Sequence, residues 1–271
     1  MLRGSAGRAG SRPGRPDQGD VVSAGVAAGN HTMSRTASRG SPLSRMSQVS
    51  TPPSRAGLGG NDSEVPWHRQ AVGGLWDEVG KLQFDFMTRQ GLLPSHRLLD
   101  VGCGSMRGGV HFVGYLDPGN YYGVDASADL LAAGLEELRK AKLSQRSPHL
   151  RHTADFDLDF GCTFQFALAQ SLFTHLPLNS IHRCLLAVEA QLDDGGTFFA
   201  TCFVNPLGRR SLLPIRHSTV DGDLVTYLDR DPYHYDVDVF RWLCEGSTLD
   251  FRYVGPWGHP RDQHMLRFDK H

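Results

Sequence analysis

The feature that most constrains this chain is the run Asp100-Val-Gly-Cys-Gly-Ser-Met-Arg-Gly-Gly109, set directly between a short apolar segment and a helix-like one. Leu98 to Val101 is the kind of brief apolar run that forms a buried parallel strand, and it stops at Gly102. Glycines at 102 and 104 lack the Cβ atoms that would keep a ligand off the backbone, and they permit a tight turn. A lone G-x-G is common in ordinary strand-to-helix turns. Its weight here comes from Asp125, about 20 residues further on at the end of the next apolar run, Tyr121 to Val124. A carboxylate placed there can accept hydrogen bonds from both hydroxyls of a ribose.

The rest of the chain continues the alternation. A helix is predicted from about Arg107 to Tyr115, and Pro118-Gly119-Asn120 forms a turn. Ser127 is a good N-cap for a helix carrying Leu130, Leu131, Leu135 and Leu138 and running to about Lys142. His149 to Thr153 and Phe164 to Ala169 are the third and fourth strands. Leu178 to Leu192 places Ile181, Leu185, Val188 and Leu192 on one helical stripe, closed by Asp193-Asp194-Gly195-Gly196. Thr197 to Val204 is a fifth strand, and Val237 to Glu245 a helix. Thr248 to Val254 and Gln263 to Phe268 have no helix-length segment between them, so they are expected to pair antiparallel. This pattern predicts an α/β, Rossmann-like, seven-stranded and mostly parallel sheet with an antiparallel final strand and helices on both faces.

Residues 1–60 are dominated by Arg, Ser, Gly, Pro and Ala, a composition too poor in apolar groups to offset its ordering entropy, and are expected to form a disordered tail ahead of one domain, 61–271. The 28 Lys and Arg nearly cancel the 29 Asp and Glu, leaving a formal charge of -1, which argues against nucleic acid as an obligatory partner. Cys103, Cys162, Cys184, Cys202 and Cys244 are scattered and contain no C-x-x-C pair, so a reducing cytoplasm fits better than a disulfide framework. No stretch approaches the roughly 18 apolar residues of a membrane span. A calcium loop is imitated by Asp155, Asp157 and Asp159, but Phe160 and Phe166 stand where Gly and Glu are required. His149 and His152, three apart on a strand, face opposite sides. No metal is expected.

Two ligand classes use a glycine bend followed by an acid. A dinucleotide fingerprint requires a third glycine five positions after the first, and that position is Arg107. S-adenosylmethionine has no pyrophosphate, so the requirement lapses. The chain resembles class I S-adenosylmethionine-dependent methyltransferases over about Trp67 to Phe268. The resemblance is carried by Leu98-Leu-Asp-Val-Gly-Cys-Gly104, Tyr121-Tyr-Gly-Val-Asp125, Ala169-Gln-Ser-Leu-Phe-Thr-His-Leu176 and Leu192-Asp-Asp-Gly-Gly-Thr-Phe198. It resembles a bacterial methyltransferase-domain group sharing a Gly-Ser-x-Arg-Gly-Gly loop and a tail like Trp257-Gly-His-Pro-Arg261.

By that similarity S-adenosylmethionine is the cofactor, with Gly102 and Gly104 against its methionine portion and Asp100 supporting its ammonium. Asp125 would hold the ribose, Ala126 flank the adenine, Asp155 and Phe156 meet the adenine amine and ring, and Ala169 and Gln170 offer backbone carbonyls to the ammonium. Arg107 departs from the small or polar residue usual in this loop. It is open to pairing with the cofactor carboxylate, with an acidic substrate or with a surface acid.

Methyl transfer is an in-line displacement on an already activated sulfonium, so alignment and exclusion of water do much of the work, and a base is needed only when the acceptor must lose a proton. His175, after the fourth strand, is the first candidate base, and Tyr233 and His234 in Asp231-Pro-Tyr-His-Tyr-Asp236 are the second. Each has a plain alternative as a packing group. The long connection from Asn205 to Arg230 has the length of a binding loop, and Trp67 to Trp76 occupies the place where this class has a covering helix. The expected reaction is methylation of a small-molecule acceptor on oxygen or nitrogen. A nicotinamide oxidoreductase and a catalytically silent methyltransferase-like binding module are the alternatives.

Overall fold

The computed structural model describes residues 65–208 and 211–271. The proposed tail, 1–60, lies outside them. Seven strands follow the order β3-β2-β1-β4-β5-β10-β9: β1 Leu98–Val101, β2 Tyr121–Asp125, β3 His149–His152, β4 Phe164–Ala169, β5 Leu192–Val204, β9 Leu249–Pro256 and β10 His264–Lys270. The first five are parallel, and β10 runs antiparallel to both its neighbours. A two-residue strand, β8 (His234–Tyr235), adds in parallel beside the end of β5. This is the sheet the alternation predicts, with the final strand inserted between β5 and β9.

Period-two side chains divide the strands between two cores. Leu99, Ala167, Phe198 and Phe268 face α5 (Leu178–Gln191) and α6 (Asp238–Leu243), whereas Leu98, Leu168, Phe199 and Met265 face α2 (Trp76–Arg89), α3 (Gly109–Tyr115) and α4 (Ala128–Lys140). A sheet covered on both faces tolerates continuous apolar strands, which is why β1 is buried at every position. The Ser127 cap forms as expected, its hydroxyl accepting Leu130 N–H at 3.2 Å. Ile181, Leu185, Val188 and Leu192 are all buried, but Leu135 of α4 turns outward.

Two local expectations change. Asp193-Asp194-Gly195-Gly196 does not separate α5 from a later strand. The helix ends at Gln191 and β5 starts at once, with pairing that slips between Phe164↔Leu192 and Phe166↔Thr197, so these residues bulge within the strand. The long connection after β5 holds an antiparallel hairpin, β6 (Ile215–Thr219) and β7 (Gly222–Thr226), turned at Val220-Asp221. Gly222 directly after the turn, at φ +120, takes a backbone conformation that other residues rarely adopt, a turn signal that the polar composition of the connection masks.

The aromatic layer between β5, β9 and β10 carries much of the first core: Phe268 is fully buried, 5.5 Å from Phe198 and 5.4 Å from Phe251 by ring centroids. Phe268→Ala is expected to cost about 3–5 kcal/mol in urea unfolding, and Leu135→Ala less than about 0.5 kcal/mol. Equal effects would show that the layer is not a packed core.

Candidate functional site

Because β1, β2, β4 and β5 are parallel, their carboxyl ends share one edge, where a cavity of about 510 Å³ opens. Its floor is Asp100 and the bend Gly102 to Gly104 after β1, Asp125 at the tip of β2, Gln170, Ser171, Leu172 and Thr174 after β4, and Phe203 near the end of β5. The volume falls within the roughly 300–1,000 Å³ of small-molecule sites.

The bend is held by its neighbours. Gly102 and Cys103 both donate backbone N–H bonds to Val124 O, at 2.8 and 3.0 Å. Asp125 accepts Gly104 N–H on Oδ2 and Ser127 N–H on Oδ1, each at 2.8 Å. Each carboxylate oxygen keeps a lone pair for a further donor. Gly104 has φ +56, and a Cβ there would come within 2.8 Å of Val72 Cγ1, so the position excludes a side chain on both counts. Asp100, buried beneath the bend, accepts the Tyr121 hydroxyl at 2.7 Å. Burial pushes its pKa up to about 7, aided by the charge of Asp125 and opposed by the Tyr121 hydrogen bond and Arg107.

The cavity is roofed from two sides. On one lies the segment between α1 (Trp67–Ala71) and α2, where Arg107 donates to Val72 O at 2.7 Å and to Gly74 O at 3.0 Å. Arg107 is only 7% exposed, and no carboxylate among the described residues lies within ion-pair distance of it. The sequence's option of a surface acid therefore fails. Burial and the neighbouring Arg261 lower its pKa to about 10, so it stays charged at neutral pH. On the other side is the β6–β7 hairpin, whose Thr219, Asp221 and Leu224 line the cavity. Arg261 joins the two roofs: Nη2 donates to Gly73 O at 2.6 Å and Nε donates to Asp221 Oδ2 at 3.1 Å.

His175 lines the cavity, and its Nδ1 lies 2.7 Å from Asp231 Oδ1. An ionised Asp231 only accepts, so the proton belongs on Nδ1 and Nε2 is left as an acceptor. Sequence reasoning missed Asp231, Arg261 and Gln263. Arg261 and Asp231 both stand inside segments singled out for other reasons, the tail and the aromatic loop.

The structure gathers Asp100, Gly102, Gly104, Asp125, Gln170 and His175 around one space. Ala126, Asp155, Phe156, Ala169, Tyr233 and His234 do not line it. Asp155 points to solvent and pairs with Arg183 at 3.5 Å, while Ala126 O lies 3.0 Å from His152 Nε2. Phe156 packs against the first core, and Ala169 is enclosed within β4. His234, offered by the sequence as a base, is fully buried with Nδ1 on Thr226, and Tyr233 lines a separate cavity beside α6. Neither reaches the space that His175 faces.

The first roof is tied to α4 by Glu137, which is 4% exposed and accepts bonds from Arg69 Nη2 at 2.6 Å and His68 Nε2 at 2.8 Å. Burial works to raise its pKa, but the hydrogen bonds from Arg69 and His68 prevail and hold it at about 2. A carboxylate with a depressed folded pKa contributes its stability above the unfolded value, and loses it as pH falls from about 4.5 toward 2. Glu137→Gln is expected to cost about 2–3 kcal/mol at pH 7 in urea unfolding and to flatten the decline below pH 4.5. A variant with the wild-type acid profile would show that Glu137 does not anchor this segment.

No protein-family model matches the chain. Among solved structures, it is similar to magnesium protoporphyrin IX methyltransferase from Synechocystis PCC 6803 with bound SAM, at TM-score 0.53 and 12% identity over 78% of this chain and 87% of that one. It is similar to SAM-bound CalS10, an amino pentose methyltransferase from Micromonospora echinaspora, at TM-score 0.55 and 14% identity over 79% of this chain and all (100%) of that one. The glycopeptide N-methyltransferase MtfA complexed with S-adenosyl-L-homocysteine matches at TM-score 0.52 and 17% identity, over 72% and 90% of the two chains. Strand order, the antiparallel β10 and these likenesses agree: the chain has the fold of class I S-adenosylmethionine-dependent methyltransferases.

Proposed function

We propose that this chain is a methyltransferase that binds S-adenosylmethionine and methylates a small-molecule acceptor on oxygen or nitrogen. The observation that carries the reading is the meeting of the Gly102–Gly104 bend with Asp125 on one wall of the cavity that His175 and Asp231 bound on another. The donor and acceptor set fits the cofactor. Asp125 has lone pairs free for two ribose hydroxyls, Asp100 is a buried acid suited to an ammonium, and Arg107 is a buried cation in want of a carboxylate. Gln170 stays in the proposal, while Ala126, Asp155, Phe156 and Ala169 leave it because the cavity does not reach them.

When bound, S-adenosylmethionine supplies an electrophilic methyl group on a sulfonium. The chain's own part is to orient the acceptor, exclude water beneath the two roofs and remove a proton where the acceptor has one to lose. His175 takes that proton on Nε2, and Asp231 fixes the tautomer and steadies the resulting imidazolium. Arg107 at the third-glycine position speaks against the dinucleotide alternative. The named neighbours methylate a porphyrin, an amino sugar and a glycopeptide, which supports a small-molecule acceptor over a nucleic acid.

Isothermal titration with S-adenosylmethionine and with NAD tests the cofactor. Binding of the first and not the second is expected, and Asp125→Ala should weaken it by at least about 1 kcal/mol. NAD binding alone would end the proposal, and absence of S-adenosylhomocysteine with every amine and hydroxyl acceptor in a broad panel would leave the silent module as the better reading. Asp100 adds a pH signature. Its pKa near 7 means that a cationic ligand must draw it into its ionised form, so affinity should fall as pH drops below about 7 and binding should release protons there. Titrations in buffers of different ionisation enthalpy measure that release, and Asp100→Asn should abolish it.

A further inference from the structure

The β6–β7 hairpin shares no strand ladder with the main sheet. Its backbone ties are Val220 N–H to Pro260 O at 3.4 Å at the tip and the Tyr227–Tyr233 bridge just past β7, and side chains add the rest. At its tip, Asp221 pairs with Arg261. At its base runs a chain of hydrogen bonds. Asp262 Oδ2 lies 3.0 Å from His217 Nδ1, His217 Nε2 lies 3.0 Å from Thr226 Oγ1, and Thr226 Oγ1 lies 2.9 Å from His234 Nδ1. His217, Thr226 and His234 are all buried. His217 is on β6, Thr226 on β7, and His234 on β8, which pairs with β5. The chain therefore runs from the main sheet, through both hairpin strands, to the β9–β10 connection.

Its proton directions follow from one end. An ionised Asp262 accepts, so His217 carries its proton on Nδ1, and its Nε2 accepts the Thr226 hydroxyl. The hydroxyl oxygen then accepts Nδ1–H of His234. This leaves His234 Nε2 as a bare lone pair, buried and without a partner among the described residues. A proton added to His217 would make Nε2 a donor, turn the hydroxyl toward His234 and move the His234 proton to Nε2, where nothing accepts it. A proton added to His234 arrives at the same blind position. The chain closes without an orphaned donor only while both imidazoles are neutral.

We propose that His217, Thr226 and His234 form a positioning relay that keeps the hairpin closed over the cavity, and that protonation of His234 lets the hairpin lift. The relay's meaning for catalysis rests on reading that cavity as the methyl-transfer site; its effect on the hairpin does not. The groups about it are these: Asp262 is shared with His264 at 3.4 Å and also acts on His259, beside Arg107 and Arg261; Arg216 and Asp223 on the hairpin pair with each other at 2.6 Å; and the ring of Phe203 on β5 lies 4.8 Å from that of His217. Burial, with the charge of His217 behind it, holds the His234 pKa below the usual range against the hydrogen bond that the imidazole donates to the Thr226 backbone. A histidine whose folded pKa is depressed contributes stability above its unfolded pKa of about 6.5, and that contribution is lost as pH falls below it.

Hydrogen–deuterium exchange of peptides covering 211–226, corrected for intrinsic rates and compared with a β4 peptide, tests this without cofactor or acceptor. Between pH 8 and 5.5 the wild-type hairpin should lose protection about tenfold while β4 keeps it. Thr226→Val, which removes the hydroxyl at nearly constant shape, should leave the hairpin open and insensitive to pH, and Thr226→Ser should restore the wild-type profile. If Thr226→Val also loses protection in β4, and is thus unfolded, the wild-type and Thr226→Ser series decide. A hairpin that tracks β4 across the pH range, or a serine variant that behaves like the valine one, overturns the relay. Cofactor titration on the same proteins reports separately on the methyltransferase reading.

Discussion

Asp125 does two jobs at once, and the site depends on its doing both. Its two oxygens accept Gly104 N–H and Ser127 N–H, which locks the bend after β1 to the start of α4 and orients the carboxylate toward the cavity. The geometry is available only because β1 and β2 are parallel neighbours in register, Val101 opposite Val124, so that both tips end at the same height. Were either strand shifted by one residue, the acid would rotate to the other face and the bend would lose its brace. Side chains that look separate in sequence thus become one surface through a backbone constraint.

Electrostatics divide the cavity into unlike ends. Asp100 and Asp125 lie on one side, both pushed upward by burial, and the charge of Asp125 adds to the rise at Asp100. Arg107 and Arg261 lie on the other. Arg261 is neutralised by Asp221, whereas Arg107, among the described residues, is stabilised by carbonyl oxygens and the more distant Asp100. His259 beside them accepts Arg261 N–H on Nδ1 and is driven down to about 3 by burial and by the two guanidinium groups, so it remains neutral. A zwitterionic ligand with its ammonium by Asp100 and its carboxylate by Arg107 would relieve both ends together, where a neutral ligand would relieve neither.

The sheet was legible because its signals are local and repeated. Leu98 to Val101 and Phe164 to Ala169 need only their apolar runs and flanking turns to be placed, and the same holds for the stripe on α5. The glycine bend and Asp125 were legible for the same reason, since the motif and its spacing lie in one βαβ unit. What could not be read depends on tertiary meetings. Asp231 reaches His175 across 56 positions, and Arg261 reaches Gly73 across 188. His234 was misplaced because two neighbours, Tyr233 and Tyr235, suggest an exposed aromatic loop, whereas β8 pairs with β5 and carries the imidazole inward. Leu135 errs the other way, an apolar residue at helical spacing that faces solvent because the stripe on α4 is narrower than the pattern allows.

The two roofs differ in kind, and the difference follows from what each is attached to. The α1–α2 segment is fixed by Glu137 from α4 and by Arg107 from the loop beneath it, so its position is set by the same elements that build the floor. The hairpin has no such continuity. Its strands form a ladder with each other, and its fastenings are the Asp221–Arg261 pair and Val220 N–H to Pro260 O at the tip, and the buried imidazole chain and the Tyr227–Tyr233 bridge at the base. Arg261 also holds Gly73 O, so release of the tip would loosen the first roof's edge as well. The side of the cavity built from the α/β framework is therefore continuous with the sheet, whereas the hairpin side is joined to it by a few separate contacts, and a change at any one of them bears on that side first.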